Sequence, residues 1–181
     1  MFTLPNILTL GRFLLVPCFL YASMRGMYLV AFVIFVTAAV TDVLDGMIAR
    51  RMNLRSRLGA LLDPAADKTL MVCGFVYYTF ADAMPVARIP GWLTFTVFIR
   101  DFLIALFAYL LYTRVHIKKF PPSIAGKAST VLQALTLAAV IAANAFAPGL
   151  LGFTEVLFRV SLVVTLFSGW DYLRRSEKLL A

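Results

Sequence analysis

The sequence predicts an all-α integral membrane protein of about six transmembrane helices. Of its 181 residues, 62% are hydrophobic and only 14% are charged, and the mean hydropathy is +0.90. A soluble domain of this length needs a polar surface around its core, and so few charged residues cannot supply one. Helices that face lipid need no such surface. The apolar residues also form long runs, which charged or Pro/Gly clusters separate.

Six apolar segments are the predicted spans, and a short N-terminal helix is expected in the membrane interface before the first of them. The first segment is short and contains Arg12, so residues 5–10 are expected to lie at the membrane surface. The simplest organisation is one membrane domain over residues 1–181. The predicted spans are residues 7–22, 27–43, 58–81, 92–112, 128–146 and 151–173.

The distribution of cations predicts the orientation. They concentrate between the second and third segments, between the fourth and fifth, and near residue 178. The positive-inside rule therefore places these connections and both termini in the cytoplasm. The formal net charge of +8 is mainly this topology signal, with attraction to anionic lipids as a second use. Nucleic-acid binding is not expected, because no basic domain lies outside the membrane.

Four aspartates interrupt this apolar sequence: Asp42, Asp45, Asp63 and Asp67. At 3.6 residues per turn, the first two share one helix face and the last two share a face of the next helix. A short cationic loop makes these helices antiparallel neighbours. Asp42 and Asp67 then lie on the order of a dozen Å inside their helix ends. All four carboxylates can meet in one cavity at the cytoplasmic side.

Carboxylates at membrane depth are costly and repel one another, which indicates a functional site with bound cations. Oxygen ligands suit Mg²⁺ or Mn²⁺, and two such ions roughly 3.5–4 Å apart clamp phosphate oxygens during displacement reactions. The structural alternative is a buried ion network with Arg50 and Lys68, which is an expensive way to pack helices. Gly46, Ala49 and Gly59 line the same faces, where they leave room for a phosphate ligand or permit close helix packing.

This spacing resembles the defining motif of the CDP-alcohol phosphotransferase family. Residues 5–12, Lys68 and the six-span layout extend the resemblance over essentially the whole chain. The motif's fixed positions are Asp42, Asp45, Gly46, Ala49, Arg50, Gly59, Asp63 and Asp67.

The resemblance implies a role for each motif residue. The four aspartates would hold two divalent metals that bind the diphosphate of a CDP-linked donor. Asp67 would also be the general base that takes the proton of the acceptor hydroxyl, and CMP would leave without a covalent enzyme intermediate. Gly46, Ala49 and Gly59 would admit the nucleotide, and Arg50 would contact its phosphates or anchor the cytoplasmic side. Family members commonly form homodimers.

Within the family, the chain is most similar to the phosphatidylglycerophosphate synthase and eukaryotic-type cardiolipin synthase branch. This implies CDP-diacylglycerol as donor, in phospholipid biosynthesis at a bacterial inner membrane. Acceptor-side cations would be Arg100, Lys127, Lys118 and Lys119. For Arg100, an ion pair with Asp101 is the structural alternative.

The acceptor alcohol is less sharply indicated than the donor. Ala108 stands where phosphatidylglycerophosphate synthases usually have a second arginine, and in this the chain resembles cardiolipin synthase, whose acceptor is phosphatidylglycerol. Lys118, Lys119 and Lys127 are able to supply the missing charge. Glycerol-3-phosphate is the first expectation, because that activity is the commoner one among short chains of this branch, and phosphatidylglycerol is the alternative.

Two other classes use similar residues. A divalent-cation transporter would use the same carboxylates for permeation, and CMP release distinguishes an enzyme from such a carrier. A membrane prenyltransferase also binds Mg²⁺ and a diphosphate, but its aspartates are spaced differently. Trp92, Trp170 and Tyr172 lie near span ends and are expected in the interfacial aromatic belt.

Overall fold

The computed structural model describes residues 4–52, 57–82, 84–115 and 123–180. All regular structure in these ranges is helical, which confirms the predicted fold class. The elements are α1 (Leu4–Met24), α2 (Tyr28–Met52), α3 (Arg57–Phe80), α4 (Gly91–Val115), α5 (Ile124–Ala145), a short 3₁₀ turn (Pro148–Leu150) and α6 (Leu151–Leu180).

Each predicted apolar segment corresponds to one helix, and most boundaries agree within two residues, although α2 and α6 end seven or more residues later than predicted. Residues 5–10, expected at the membrane surface, form the first turns of α1. Pro5 does not interrupt them, because proline is tolerated in the first turn of a helix. Within the described ranges, three helical stretches are long and apolar enough to cross a bilayer: Gly91–Tyr109, Ile124–Ala145 and Pro148–Arg175. The count of six spans stays a prediction.

A tight turn at Gly26 folds α2 back against α1. Gly26 has a φ of 71°, which glycine adopts without the steric cost that a Cβ brings. The Met27 N–H donates to the Ala22 carbonyl at 2.9 Å, and the Gly26 N–H donates to the Ser23 carbonyl at 3.0 Å. This pair of bonds is the Schellman motif, which satisfies the last carbonyls of a helix.

Asn144 near the end of α5 fixes the connection between α3 and α4. Its side-chain oxygen accepts from the N–H groups of Val86 and Ala87, at 2.9 and 3.2 Å. Its side-chain nitrogen donates to the Ala87 carbonyl at 2.8 Å. Arg88 donates to the Ala81 carbonyl in the same connection. We call this end of the bundle, with connections 25–27, 81–82, 84–90 and 146–150, the turn end.

Aromatic packing fills the bundle towards the turn end. Phe19 and Tyr78 are fully buried, and their ring centroids lie 6.3 Å apart. Phe35 packs against Phe19 at 6.1 Å, and the Tyr78 hydroxyl lies 3.3 Å from the Ser23 hydroxyl. Aromatic pairs at these distances stabilise beyond the area that they bury. This cluster joins α1, α2 and α3.

The expected aromatic belt is only partly correct. Trp92 and Trp170 are about half exposed, as interfacial residues are, but Tyr172 is buried at 7% exposure. Tyr172 lies on the same face of α6 as the buried Thr165 and Ser168, seven and four residues earlier respectively. Its position along the helix suggested the interface, whereas the rotation of α6 turns it inward.

Candidate active site

The motif aspartates lie on two neighbouring helices. Asp42 and Asp45 belong to α2, and Asp63 and Asp67 belong to α3. The two helices are in contact, and helical geometry places each pair on one face. The four side chains lie outside the described residues, so their convergence stays a prediction. The donor set fits Mg²⁺ or Mn²⁺ by its chemistry, because carboxylate oxygens are the ligands that these ions prefer.

Several other predicted site residues also lie outside the described side chains or the described ranges. The backbone of Gly46, Ala49 and Arg50 is helical within α2, and that of Gly59 is helical within α3. Lys118 and Lys119 lie outside the described ranges. Within the described side chains, no three histidine, cysteine or acidic residues are close enough to hold a metal, and the four aspartates are not among those side chains.

Arg100, the first of the predicted acceptor-side cations, is described in full. Its Nη1 donates to Asp101 Oδ1 at 2.8 Å, and only 13% and 14% of the two side chains are exposed. Its Nη2 donates to the Ser168 hydroxyl of α6. Its Nε is buried and has no hydrogen-bond partner in the described part of the chain. The alternative of an ion pair with Asp101 is therefore correct, but it does not use the whole guanidinium.

Lys68 joins the same cluster from α3. Its Nζ donates to Asp101 Oδ2, so the carboxylate accepts one cation on each oxygen. The structural alternative paired Lys68 with the motif aspartates, whereas its described partner is Asp101 on α4. Lys68 directly follows Asp67 in the chain. This ion pair therefore links Arg100 and Asp101 of α4 to the residue of α3 that follows the last aspartate of the motif.

The start of α5 closes over the Arg100 guanidinium. Ser123 is the N-cap of α5, and its hydroxyl accepts from the Gly126 N–H at 2.9 Å. A Cβ placed on Gly126 would lie 3.3 Å from Arg100 Nη2 and 3.2 Å from the Ser123 hydroxyl. Glycine thus allows α5 to approach the guanidinium closely. Lys127, another predicted acceptor-side cation, is the next residue, and it is exposed.

A seam of buried hydroxyl side chains holds α5 against α6. Ser129 lies 3.1 Å from Thr165, and Thr136 lies 2.8 Å from Ser161. Gln133 donates to Ser129 at 3.1 Å. Small residues let helices approach in a membrane, and hydroxyl hydrogen bonds add to the packing. The seam fixes Ser168 and Gly126, which belong to these two helices, around Arg100.

An apolar groove separates α4 from α6 beside the same arginine. Its volume is about 460 Å³, and Ile99 and Ile104 line it from α4, with Leu166 and Trp170 from α6. The aliphatic part of Arg100 also lines the groove, and its Cγ lies 3.8 Å from where a Cβ on Gly169 would be. The guanidinium therefore lies between an apolar groove on one side and its polar partners Asp101 and Ser168 on the other.

The sequence analysis missed two residues of this cluster. Lys68 was considered only as a partner of the motif aspartates, and Ser168 was not considered at all. A signal for Ser168 was present, since Thr154, Ser161, Thr165 and Ser168 recur every three to seven residues along α6 and mark one buried polar face.

Comparison with known proteins gives the family. A family model described as CDP-alcohol phosphatidyltransferase matches residues 2–167. The chain is 34% identical to the CDP-diacylglycerol–glycerol-3-phosphate 3-phosphatidyltransferase of Aquifex aeolicus, over 97% of both chains. It is 33% identical to the cardiolipin synthase (CMP-forming) of Homo sapiens, over 97% of this chain and 62% of the human protein.

A third relative has a name that matches the first of these two activities. The probable phosphatidylglycerophosphate synthase of Mycobacterium tuberculosis is 31% identical, over 96% of this chain and 81% of that protein. The family match covers most of the chain, and the similarity extends from the motif helices through the Arg100 cluster. The chain therefore belongs to the CDP-alcohol phosphatidyltransferase family of membrane-bound enzymes.

Proposed function

We propose that this protein transfers the phosphatidyl group of CDP-diacylglycerol to a hydroxyl of glycerol-3-phosphate and releases CMP, a step of phospholipid biosynthesis. The observation that carries the proposal is the full-length similarity to an enzyme named for that reaction, at 34% identity over 97% of both chains. The described geometry supports it, because Arg100 and Lys68, which follows Asp67 in α3, are both paired with the carboxylate of Asp101.

The motif side chains have separate proposed tasks. Asp42, Asp45, Asp63 and Asp67 would hold two Mg²⁺ or Mn²⁺ ions, and bound metal would neutralise the donor diphosphate and improve CMP as a leaving group. Asp67 would also accept the proton of the attacking hydroxyl. Small side chains at Gly46, Ala49 and Gly59 would admit the nucleotide, with Arg50 at its phosphates.

Cations outside the motif would bind the acceptor. Arg100 is almost buried and has partly used donors, and Lys127 is exposed at the first turn of α5. Lys118 and Lys119 remain proposed as further contributors. A charged donor strengthens a hydrogen bond to phosphate, and arginine matches phosphate geometry with two parallel N–H groups. Two anionic substrates would then meet between α3, α4 and α5.

Orientation and assembly belong to the same proposal. The protein would cross the membrane several times, with the motif facing the cytoplasm, where the cationic connections lie. Such an arrangement suits a bacterial inner membrane. A homodimer, common in the family, is the proposed assembly.

Cardiolipin synthesis from phosphatidylglycerol is the second candidate. Two observations favour it: Ala108 replaces the second arginine, and the groove between α4 and α6 runs past Arg100. A lipid acceptor has acyl chains that such a groove suits, whereas glycerol-3-phosphate has none.

Purified protein with CDP-diacylglycerol and Mg²⁺ tests the function directly. We expect CMP release and phosphatidylglycerophosphate, identified by mass spectrometry, when glycerol-3-phosphate is present. Chelation of the metal should stop both, and added Mg²⁺ or Mn²⁺ should restore them. Cardiolipin from phosphatidylglycerol, with glycerol-3-phosphate ignored, would establish the second candidate. Metal flux into liposomes without CMP release would instead indicate a transporter.

A further inference from the structure

Asp101 is shared by two cations that come from different helices. Lys68 of α3 donates to one carboxylate oxygen, and the neighbouring Arg100 of α4 donates to the other. Two cations and one carboxylate leave one positive charge that no described side chain of this cluster balances. A site with this charge is suited to an anion.

The two cations differ in how firmly they are held. Arg100 and Asp101 are 13% and 14% exposed, whereas the Lys68 side chain is 52% exposed. Arg100 has further contacts with Ser168 and the start of α5, and its position is therefore fixed. An ammonium group has three donors, and the ion pair with Asp101 uses one of them. Lys68 is thus able to reach a second anion from its exposed position.

The start of α5 adds positive charge at the same place. Gly126 lies in the first turn of α5, and a Cβ there would be 3.3 Å from Arg100 Nη2. A helix N-terminus carries roughly half a positive charge, which favours anions and disfavours cations. The guanidinium and the helix end repel each other unless an anion lies near both. Asp101 meets that need only in part, because it is also paired with Lys68.

We propose that Lys68 is a further binding residue for the phosphate of the acceptor, and that Asp101 is the positioning residue that holds Lys68 and Arg100 ready for it. The inference rests on the proposed function, since both candidate acceptors contain a phosphate. On binding, the phosphate takes the free donors of Lys68 and faces Arg100 and the start of α5. Asp101 keeps the two cations at a fixed separation.

This arrangement also orients the acceptor. Lys68 follows Asp67 along α3, so the backbone of the proposed base lies one residue from that of the lysine that would bind the phosphate. In glycerol-3-phosphate, a three-carbon chain separates the phosphate from the hydroxyl that attacks. A phosphate held by Lys68 thus keeps that hydroxyl within reach of the Asp67 position.

Steady-state kinetics on four variants test the role of each residue: Lys68→Gln, Lys68→Arg, Asp101→Asn and Asp101→Glu. Loss of one charge-assisted phosphate contact typically weakens binding by about tenfold to a hundredfold. Lys68→Gln should therefore raise the acceptor KM by about that factor and leave the KM for CDP-diacylglycerol unchanged. Lys68→Arg, which keeps the charge, should recover most of the loss. Arg175→Gln removes a cation from an exposed pair with Asp171 and is the matched control.

Inorganic phosphate, used as a competitive inhibitor, separates positioning from charge. Asp101→Asn adds net positive charge, so phosphate should inhibit this variant at least as well as the wild type. Its kcat/KM for the acceptor should nevertheless fall, because Lys68 and Arg100 are no longer held in place. Asp101→Glu keeps a carboxylate and should restore turnover. If Asp101 only stabilises the fold, phosphate inhibition and kcat/KM should fall together in Asp101→Asn.

The outcomes distinguish the inference from the function on which it rests. A wild-type enzyme that transfers to no phosphate-containing acceptor overturns the proposed function itself. An active wild type with an unchanged acceptor KM in Lys68→Gln overturns only the role of Lys68. If Lys68→Gln lowers kcat/KM equally for donor and acceptor, the ion pair between Lys68 and Asp101 only holds α3 and α4 together. If Lys68→Gln cannot be purified folded, weaker phosphate inhibition of Asp101→Asn than of the wild type is the overturning result.

Discussion

The turn end and the opposite end of the bundle are built from different interactions. At the turn end, Phe19, Tyr78 and Leu137 are fully buried. The side-chain oxygen and nitrogen of Asn144 both form hydrogen bonds with the backbone of the connection between α3 and α4. The opposite end, which we call the motif end, comprises residues 42–52, 57–68, 100–115, 123–129 and 168–180. There, Arg100 and Lys68 share the carboxylate of Asp101, one on each oxygen.

The difference indicates that the turn end mainly stabilises the bundle, whereas the motif end contains the residues proposed for binding and catalysis. Apolar and aromatic packing determines how the helices fit at the turn end, where the described residues include no buried side-chain polar atom without a partner. At the motif end, Arg100 Nε is buried without a partner among the described residues. A buried polar group without a partner costs free energy, and such groups are retained where a ligand uses them. Variants at the two ends should therefore fail in different ways.

The largest expected effect comes from the metal-binding aspartates at the motif end. Replacement of Asp42, Asp45 or Asp63 by Ala should abolish turnover at all practical Mg²⁺ concentrations, because each removes oxygen ligands that no neighbour replaces. CMP release by the purified variants measures this. Asp82→Ala, at an exposed aspartate of the turn end, is the control and should remain active. Near-normal turnover in any correctly inserted motif variant would remove the two-metal proposal.

A smaller loss is expected for the proposed base. General-base catalysis typically contributes about 10²–10⁴-fold to a rate, so Asp67→Asn should lower kcat by that factor. Binding of CDP-diacylglycerol, measured by equilibrium binding in detergent, should be largely retained. If donor binding disappears together with turnover, Asp67 is a metal ligand rather than a base.

Arg100→Ala and Lys127→Ala should have intermediate effects, confined to the acceptor. We expect kcat/KM for the acceptor to fall about tenfold to a hundredfold for each variant. The donor KM should change much less. Arg159→Ala, an exposed cation of α6 away from the cluster, should behave as the wild type. Equal effects on both substrates would show that Arg100 supports the fold and does not bind the acceptor.

The smallest effect on kinetics is expected at the turn end. Leu137 is fully buried and fills the space beside Gly74, where a Cβ would lie 2.4 Å from a Leu137 methyl carbon. Leu137→Ala leaves a cavity, for which soluble proteins lose about 2–5 kcal/mol. A value near the lower limit is expected, because lipid tails are as apolar as leucine. Thermal unfolding should show this loss of stability, while the KM values for donor and acceptor stay unchanged. The control Leu135→Ala, at a half-exposed leucine, should change neither the stability nor the KM values.

Local patterns in the sequence predicted the elements but not their contacts. Hydropathy and charge clusters identified six helices, and the motif spacing identified the family, because both depend on residues close together in the chain. The ion pair between Lys68 and Asp101 joins two helices across 33 positions, and it depends on how each helix is rotated. In a membrane bundle both faces of a helix are apolar, so periodicity reports rotation poorly. Tyr172 was misplaced for the same reason.

Asn144 has a consequence for how the protein is made. The connection between α3 and α4 obtains its hydrogen bonds from a side chain on α5, which leaves the ribosome later. Chains emerge at about 5–20 residues per second, so the N–H groups of Val86 and Ala87 lack their Asn144 acceptor for a few seconds. The hydrogen bonds between Asn144 and this connection form only when α5 has been synthesised. A chain truncated before Asn144 would therefore leave the N–H groups of Val86 and Ala87 without the side-chain acceptor that they have in the complete bundle.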